Sequence, residues 1–217
     1  MCGRVTISEQ TSIAKDLKLK LADDLKRPAH INVPPSMELP LFTDEKPSDL
    51  QYFSWSLIPF WTKERPKFST FNARLENLQE SASWKHLLGK KHAVIITDGF
   101  YEWKKLDEKA KKKQPYLIRM KDIRFTLMAG LWDTWVDHKT GEIIHSCTII
   151  TRPANEDMKD LHLRMPCLLS IENANIWVNR SLSLADRMKA LEALSPNLLE
   201  LKSVQKLGDE EEYKDLF

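Results

Sequence analysis

Long apolar runs are missing from the 217-residue sequence: no uninterrupted stretch approaches the roughly 20 residues that cross a bilayer, and the opening segment has no apolar core of signal-peptide length. These absences argue against a membrane span and predict an intracellular, cytoplasmic protein. Cysteine is scarce. Cys2, Cys147 and Cys167 are odd in number, far apart and without a CxxC pair, which speaks against a disulfide framework or a zinc site and predicts free thiols in a reducing compartment. Charge of one sign is also lacking, the net being only +2, so a polyanionic partner would have to be held by a local patch and not by a global field. No internal repeat or low-complexity tract interrupts the chain. What remains is an ordinary globular composition, 42% hydrophobic and 29% charged, and the expectation is one domain over residues 1–217.

TISE at Thr6 to Glu9 has the form of a capping box, and Ile13 and Leu17 recur at helical spacing, so a first helix is expected from about Ser8 to Leu19. Prolines punctuate Pro28 to Pro47 and confine it to extended or turn structure. A second helix is expected around Ser81 to Leu88, stopped by Gly89. The run HAVIITDGFYEW reads as a strand, followed by the polar loop KKLDEKAKKKQ and by strands at PYLIRM, FTLMAGLW and EIIHSCTIIT. Helices return at Ala174 to Asn179 and Leu184 to Leu194, then a last strand at LLELKSV and an acidic tail. The order predicts an α+β fold with a curved, mostly antiparallel, barrel-like sheet flanked by helices.

The chain begins MCGRV. With Met1 removed, Cys2 would carry an α-amine and a thiol on adjacent carbons. An aldehyde attacked by the amine gives a Schiff base, and the thiol can then add to the imine carbon and close a five-membered thiazolidine. Taken alone, a cysteine at position 2 reads more simply as a passive residue. Three further stretches place polar groups where a core or turn does not ask for them. In DGFYEW, Glu102 sits between Tyr101 and Trp103; facing an apolar pocket it would suit proton transfer, whereas on an alternating strand it would simply face solvent. In HLRMP, His162 is a candidate proton carrier and Arg164 a candidate anion ligand, against the plainer reading of a surface histidine. In FNARLEN, Asn72 and Arg74 alternate, so an extended segment would project an amide and a guanidinium to one side. Trp55 and Trp61 of FSWSLIPFW are either core residues or stacking platforms for exposed bases.

MCGR, INVPPS, WSLIPFW, FNARLEN, DGFYEWKK, QPY, AGLW, IITRPAN and HLRMP together resemble the SOS-response-associated peptidase (SRAP) family, whose members process abasic sites. The resemblance spans nearly the whole chain. It departs at Ser56, where the family usually has Gly, at Pro34, usually Ala or Ser, and at Ile96, usually Pro. It implies that Cys2, freed of Met1, forms a thiazolidine crosslink with the ring-opened aldehyde of an abasic site in single-stranded DNA. Asn72 would position Cys2 and the sugar, and Glu102 and His162 would serve as acid/base groups. Arg4, Arg74 and Arg164 would grip phosphates, with Trp55, Trp61 and Trp103 along the DNA path. Nearby Arg4 or Arg74 would favour the thiolate, β-elimination would be a lyase side activity, and the same groups could reverse the crosslink. No metal or organic cofactor is called for, and the protein is expected to act as a monomer. Two other readings compete: a thiol-dependent peptidase or autoprotease using Cys2, and a non-catalytic single-strand binder.

Overall fold

A computed structural model describes residues 2–21, 26–67, 69–107, 111–192 and 194–208. Its elements run β1 (Val5–Ile7), α1 (Gln10–Asp16), β2 (Lys20–Leu21), β3 (His30–Val33), β4 (Glu38–Thr43) and β5 (Asp49–Trp55). Next, β6 (Asn72–Arg74) passes into a 3-10 turn at Leu75–Asn77, followed by β7 (His92–Thr97), β8 (Gly99–Lys105), β9 (Lys113–Met120), β10 (Thr126–Val136) and β11 (Ile143–Pro153). The described chain is completed by β12 (Arg164–Pro166), β13 (Leu168–Leu169), α2 (Ile171–Val178), α3 (Leu184–Lys189) and β14 (Leu199–Ser203).

Strands β5, β4, β7, β10 and β11 are neighbours in that order, and a parallel contact of β11 with β5 (Ser146 opposite Ser54, Cys147 opposite Trp55) closes them into a small barrel. The strand sequences explain the closure. Both faces must be buried, so β7 is apolar from Ala93 to Ile96: Ala93 and Ile95 join one core with Leu39, Leu41, Phe53, Trp55, Met128 and Ile149, while Val94 and Ile96 join a second core with Leu127, Leu131, Ala174 and Trp177. The period of two sends the first set into the barrel and the second outward beneath α2. Gly130 is required inside, since a Cβ there would lie 2.6 Å from Ile95 Cδ1 and 2.7 Å from the Thr148 carbonyl oxygen. A five-stranded sheet in the order β14-β9-β8-β1-β3 packs against this barrel, and Cys2, Val5, Phe100 and Ile118 share the barrel's inner core.

The expected α+β, mostly antiparallel, barrel-like fold is what the chain adopts, and the local differences have physical causes. The capping box does not form: Thr6 is drawn into β1 opposite Gly99, the Ser8 hydroxyl donates to Asp98 Oδ1 at 2.7 Å, and helix α1 starts only at Gln10. The helix expected at Ser81 to Leu88 is a series of turns ending at Gly89, φ 75°. HAVIITDGFYEW is two strands, because the chain turns out of the barrel at Asp98 and enters the second sheet. Part of the lysine-rich loop (residues 108–110) and the acidic tail (209–217) lie outside the described residues. Among those described, no helix is long and apolar enough to cross a membrane.

Two features outside the site make measurable predictions. Ser56 takes φ 149°, a conformation side chains rarely adopt, because its N–H continues the barrel seam to the Cys147 carbonyl at 3.1 Å. Ser56→Gly is expected to raise stability by about 1 kcal/mol, the strain relieved exceeding the entropy that glycine adds to the unfolded chain. An unchanged or lower urea midpoint would contradict this.

His92 is fully buried, stacked on Trp177 at 3.7 Å between ring centroids. Its Nε2 accepts from the Gly89 N–H and its Nδ1 contacts the Trp177 carbonyl oxygen, both at 2.9 Å, an arrangement suited to a neutral ring. Burial, then the Arg187 charge, pushes its pKa down to about 3. The unfolded chain binds this proton below about 6.5 and the folded chain refuses it, so the stability associated with His92 is complete above 6.5 and falls away as pH drops toward 3. NMR of the ring at pH 5 should show neutral imidazole; a cation there would overturn the assignment.

Candidate active site

Glu102 lies on β8, and the antiparallel register of β1 with β8 (Val5 opposite Phe100, Thr6 opposite Gly99) leads the start of the chain back along it. The Tyr101 N–H extends that ladder to the Arg4 carbonyl at 2.9 Å. This pairing is why residues a hundred positions apart meet. On the other side, β11 pairs with both remaining motifs: Ile149 lies opposite Asn72 of β6, and Pro153 lies opposite Arg164 of β12.

Cys2 is completely buried, and Asn72 Nδ2 donates to its carbonyl oxygen at 2.8 Å. Asn72 Oδ1 is buried without a hydrogen-bond partner among the described residues, so the amide keeps an acceptor in reserve beside the cysteine. Burial, then the negative charge of Glu102, drives the Cys2 thiol well above its ordinary range, and a hydrogen bond from the Arg4 backbone opposes this. The expectation that the charges of Arg4 or Arg74 would hold a thiolate is therefore corrected. The contribution from Arg4 comes through its main chain, while its guanidinium donates to the Gly3 carbonyl at 2.8 Å.

Glu102 is 2% exposed, and its Oε1 lies 4.0 Å from His162 Nδ1. The two line an open cleft of about 270 Å3 together with Trp103, Lys105 and Lys113. Asn72 thus holds Cys2 and Glu102 faces His162, the two pairs being linked by the influence of the Glu102 charge on the Cys2 thiol, with Arg4 and the half-buried Trp103 adjoining them in the chain. A protonatable pair near a fixed cysteine can carry protons to and from the oxygen of a carbonyl group whose carbon the nucleophile attacks.

The other candidate residues lie in different settings. Arg74 ends β6 and is exposed, two residues from Asn72, with its charge felt at Glu76. Trp55 is not a stacking platform: it is 0% exposed, fills the barrel and donates from its indole nitrogen to the Phe71 carbonyl at 2.9 Å. Trp61 is 50% exposed but lies far along the molecule, since the next residue's carbonyl accepts from Trp135, whose strand partner Ile144 is five positions down β11 from Ile149. Arg164 is already engaged by the protein. Its guanidinium donates to both carboxylate oxygens of Glu76, at 2.6 and 2.9 Å, and to the Thr151 carbonyl at 2.7 Å. Glu76 stands in the quoted FNARLEN stretch, yet nothing local marks it, because its partner is 88 residues away.

Comparison with known proteins shows the family. Residues 1–207 match the family model described as SOS response associated peptidase (SRAP). The chain is 37% identical over 196 residues to the abasic site processing protein YoqW of Bacillus subtilis, covering 88% of this chain and 86% of that protein. It is 36% identical over the same length to YobE of that organism, covering 88% of each. A crystal structure of a protein from Bacteroides thetaiotaomicron superposes with a TM-score of 0.82 at 25% identity, over 94% of this chain and 93% of that one. The chain belongs to the SOS response associated peptidase family.

Proposed function

We propose that the protein captures abasic sites in single-stranded DNA as a covalent thiazolidine at Cys2, exposed by loss of Met1. The observation that carries this reading is a buried cysteine held by Asn72 through its carbonyl, together with a buried Glu102 whose charge reaches the thiol and whose carboxyl faces His162. Relatives named for abasic site processing support the substrate class.

The chemistry of the two nucleophiles orders the steps: the α-amine attacks first, because condensation to an imine creates the carbon on which the thiol closes the ring. Its nitrogen bonds to C1′ of the opened sugar, a protonated group supplies the hydrogen that carries the hydroxyl away as water, and an imine results. Glu102 then takes the thiol proton as sulfur adds to C1′, and the imine nitrogen ends with that proton. One water is lost overall, and no oxidant is needed. A base acting instead on the C2′ hydrogen of the imine expels the 3′ phosphate, which is the lyase branch. Asn72 holds the nucleophilic residue at the right distance, and Arg74 offers a charge for phosphate.

Intact mass spectrometry tests the reading: protein without Met1, incubated with an oligonucleotide carrying one abasic site, should gain the oligonucleotide mass less one water without borohydride. Met-less protein that forms no adduct would remove the proposal.

A further inference from the structure

Every nitrogen of the Arg164 guanidinium meets a protein acceptor: Nη1 and Nη2 reach the Glu76 carboxylate, Nη2 also reaches the Thr151 carbonyl, and Nε lies 3.4 Å from Thr151 Oγ1. So firm an internal pairing is unexpected for a residue that only grips DNA. Its consequence lies in the backbone. The Arg164 N–H donates to His162 Nδ1 at 3.0 Å, and the Arg164 carbonyl oxygen lies 3.0 Å from the same ring nitrogen. One residue's peptide groups thus flank Nδ1 in either state, the N–H matching a ring bare at that nitrogen and the carbonyl matching one protonated there.

We propose that Glu76 is a positioning residue: by clamping Arg164 it fixes the backbone that holds the His162 ring toward Glu102. The inference rests on the capture reading above. It gives the FNARLEN stretch two duties, since Asn72 holds the cysteine while Glu76, four residues on, holds the acid/base partner. The pairing is strong enough to matter, as the Arg164 hydrogen bonds draw the Glu76 carboxyl down to about 2. The clamp is therefore complete above the ordinary carboxyl range and is lost only as pH falls toward 2. The charged groups around His162 are Glu102 and Lys105 from β8, Lys113 from β9 and Arg164 from β12.

Charge and positioning predict opposite results for Glu76→Gln. If Glu76 were merely a negative charge near bound phosphates, its removal would speed capture or tighten DNA binding. As a positioning residue, its loss should lower the maximal single-turnover crosslinking rate about tenfold to a hundredfold and change the pH profile of that rate, with half-saturating DNA no weaker. Glu76→Asp, which keeps the carboxylate, should recover part of the rate. In the free protein, 15N shifts of His162 should report one neutral tautomer in the parent and a mixture in Glu76→Gln. An unchanged rate, pH profile and tautomer in Glu76→Gln overturns the inference. Parent protein that forms no crosslink, while Glu76→Gln still disturbs the ring, overturns the capture reading and leaves the positioning in place.

Discussion

Cys2→Ala is expected to abolish the stable crosslink altogether while leaving noncovalent affinity for single-stranded DNA intact. The variant keeps an α-amine, so the imine still forms, but no sulfur is present to close the ring. Borohydride should therefore trap an adduct that disappears on denaturation without it, and strand cleavage through the imine should continue or rise because the competing ring closure is gone. The substitution removes one buried sulfur next to Val5 and Phe100, costing on the order of 1 kcal/mol, too little to unfold the chain. A stable, borohydride-independent adduct in Cys2→Ala would assign the chemistry to another nucleophile.

Glu102→Gln should slow crosslinking by roughly 10²- to 10⁴-fold, the usual range for loss of a positioned acid/base group. The direction is diagnostic. The Glu102 charge is one of the two influences that hold the Cys2 thiol protonated, the other and larger being burial. Neutralising it makes the thiolate easier to form, so a carboxylate that acted only through its field would leave the glutamine variant faster than the parent. A proton carrier leaves it slower. Capture at the parental rate or above in Glu102→Gln, with normal folding, would exclude Glu102 from the chemistry. The near-isosteric amide preserves the packing, so the comparison is of charge and protonation alone.

The elements read from sequence succeed where one physical requirement dominates. The β-branched and aromatic residues of β7, β10 and β11 make strands because they fit a pleated, largely buried surface, and Gly89 takes φ 75°, which a glycine tolerates without strain. They fail where two requirements compete. Thr6 has the chemistry of a helix cap but is taken by β1, and Ser81 to Leu88 has helical spacing but forms only turns. The aromatic residues show the same division. Trp55 and Trp61 are indistinguishable as letters, six positions apart, yet one fills the barrel and the other faces solvent.

For the site, the order of four short stretches carried the family and named its candidate groups: the cysteine behind Met1, the amide of NAR, the carboxylate of FYEW and the imidazole of HLRMP. Residue type is enough for that, because nucleophile, acceptor and proton carrier are properties of single side chains. Only the tertiary structure decided the burial of the Cys2 thiol, the commitment of Arg164 to Glu76, and the burial of Trp55. Each of these depends on what lies across a strand pairing or in a barrel interior. Such neighbours are set by chain segments tens of residues away, and no local pattern records them.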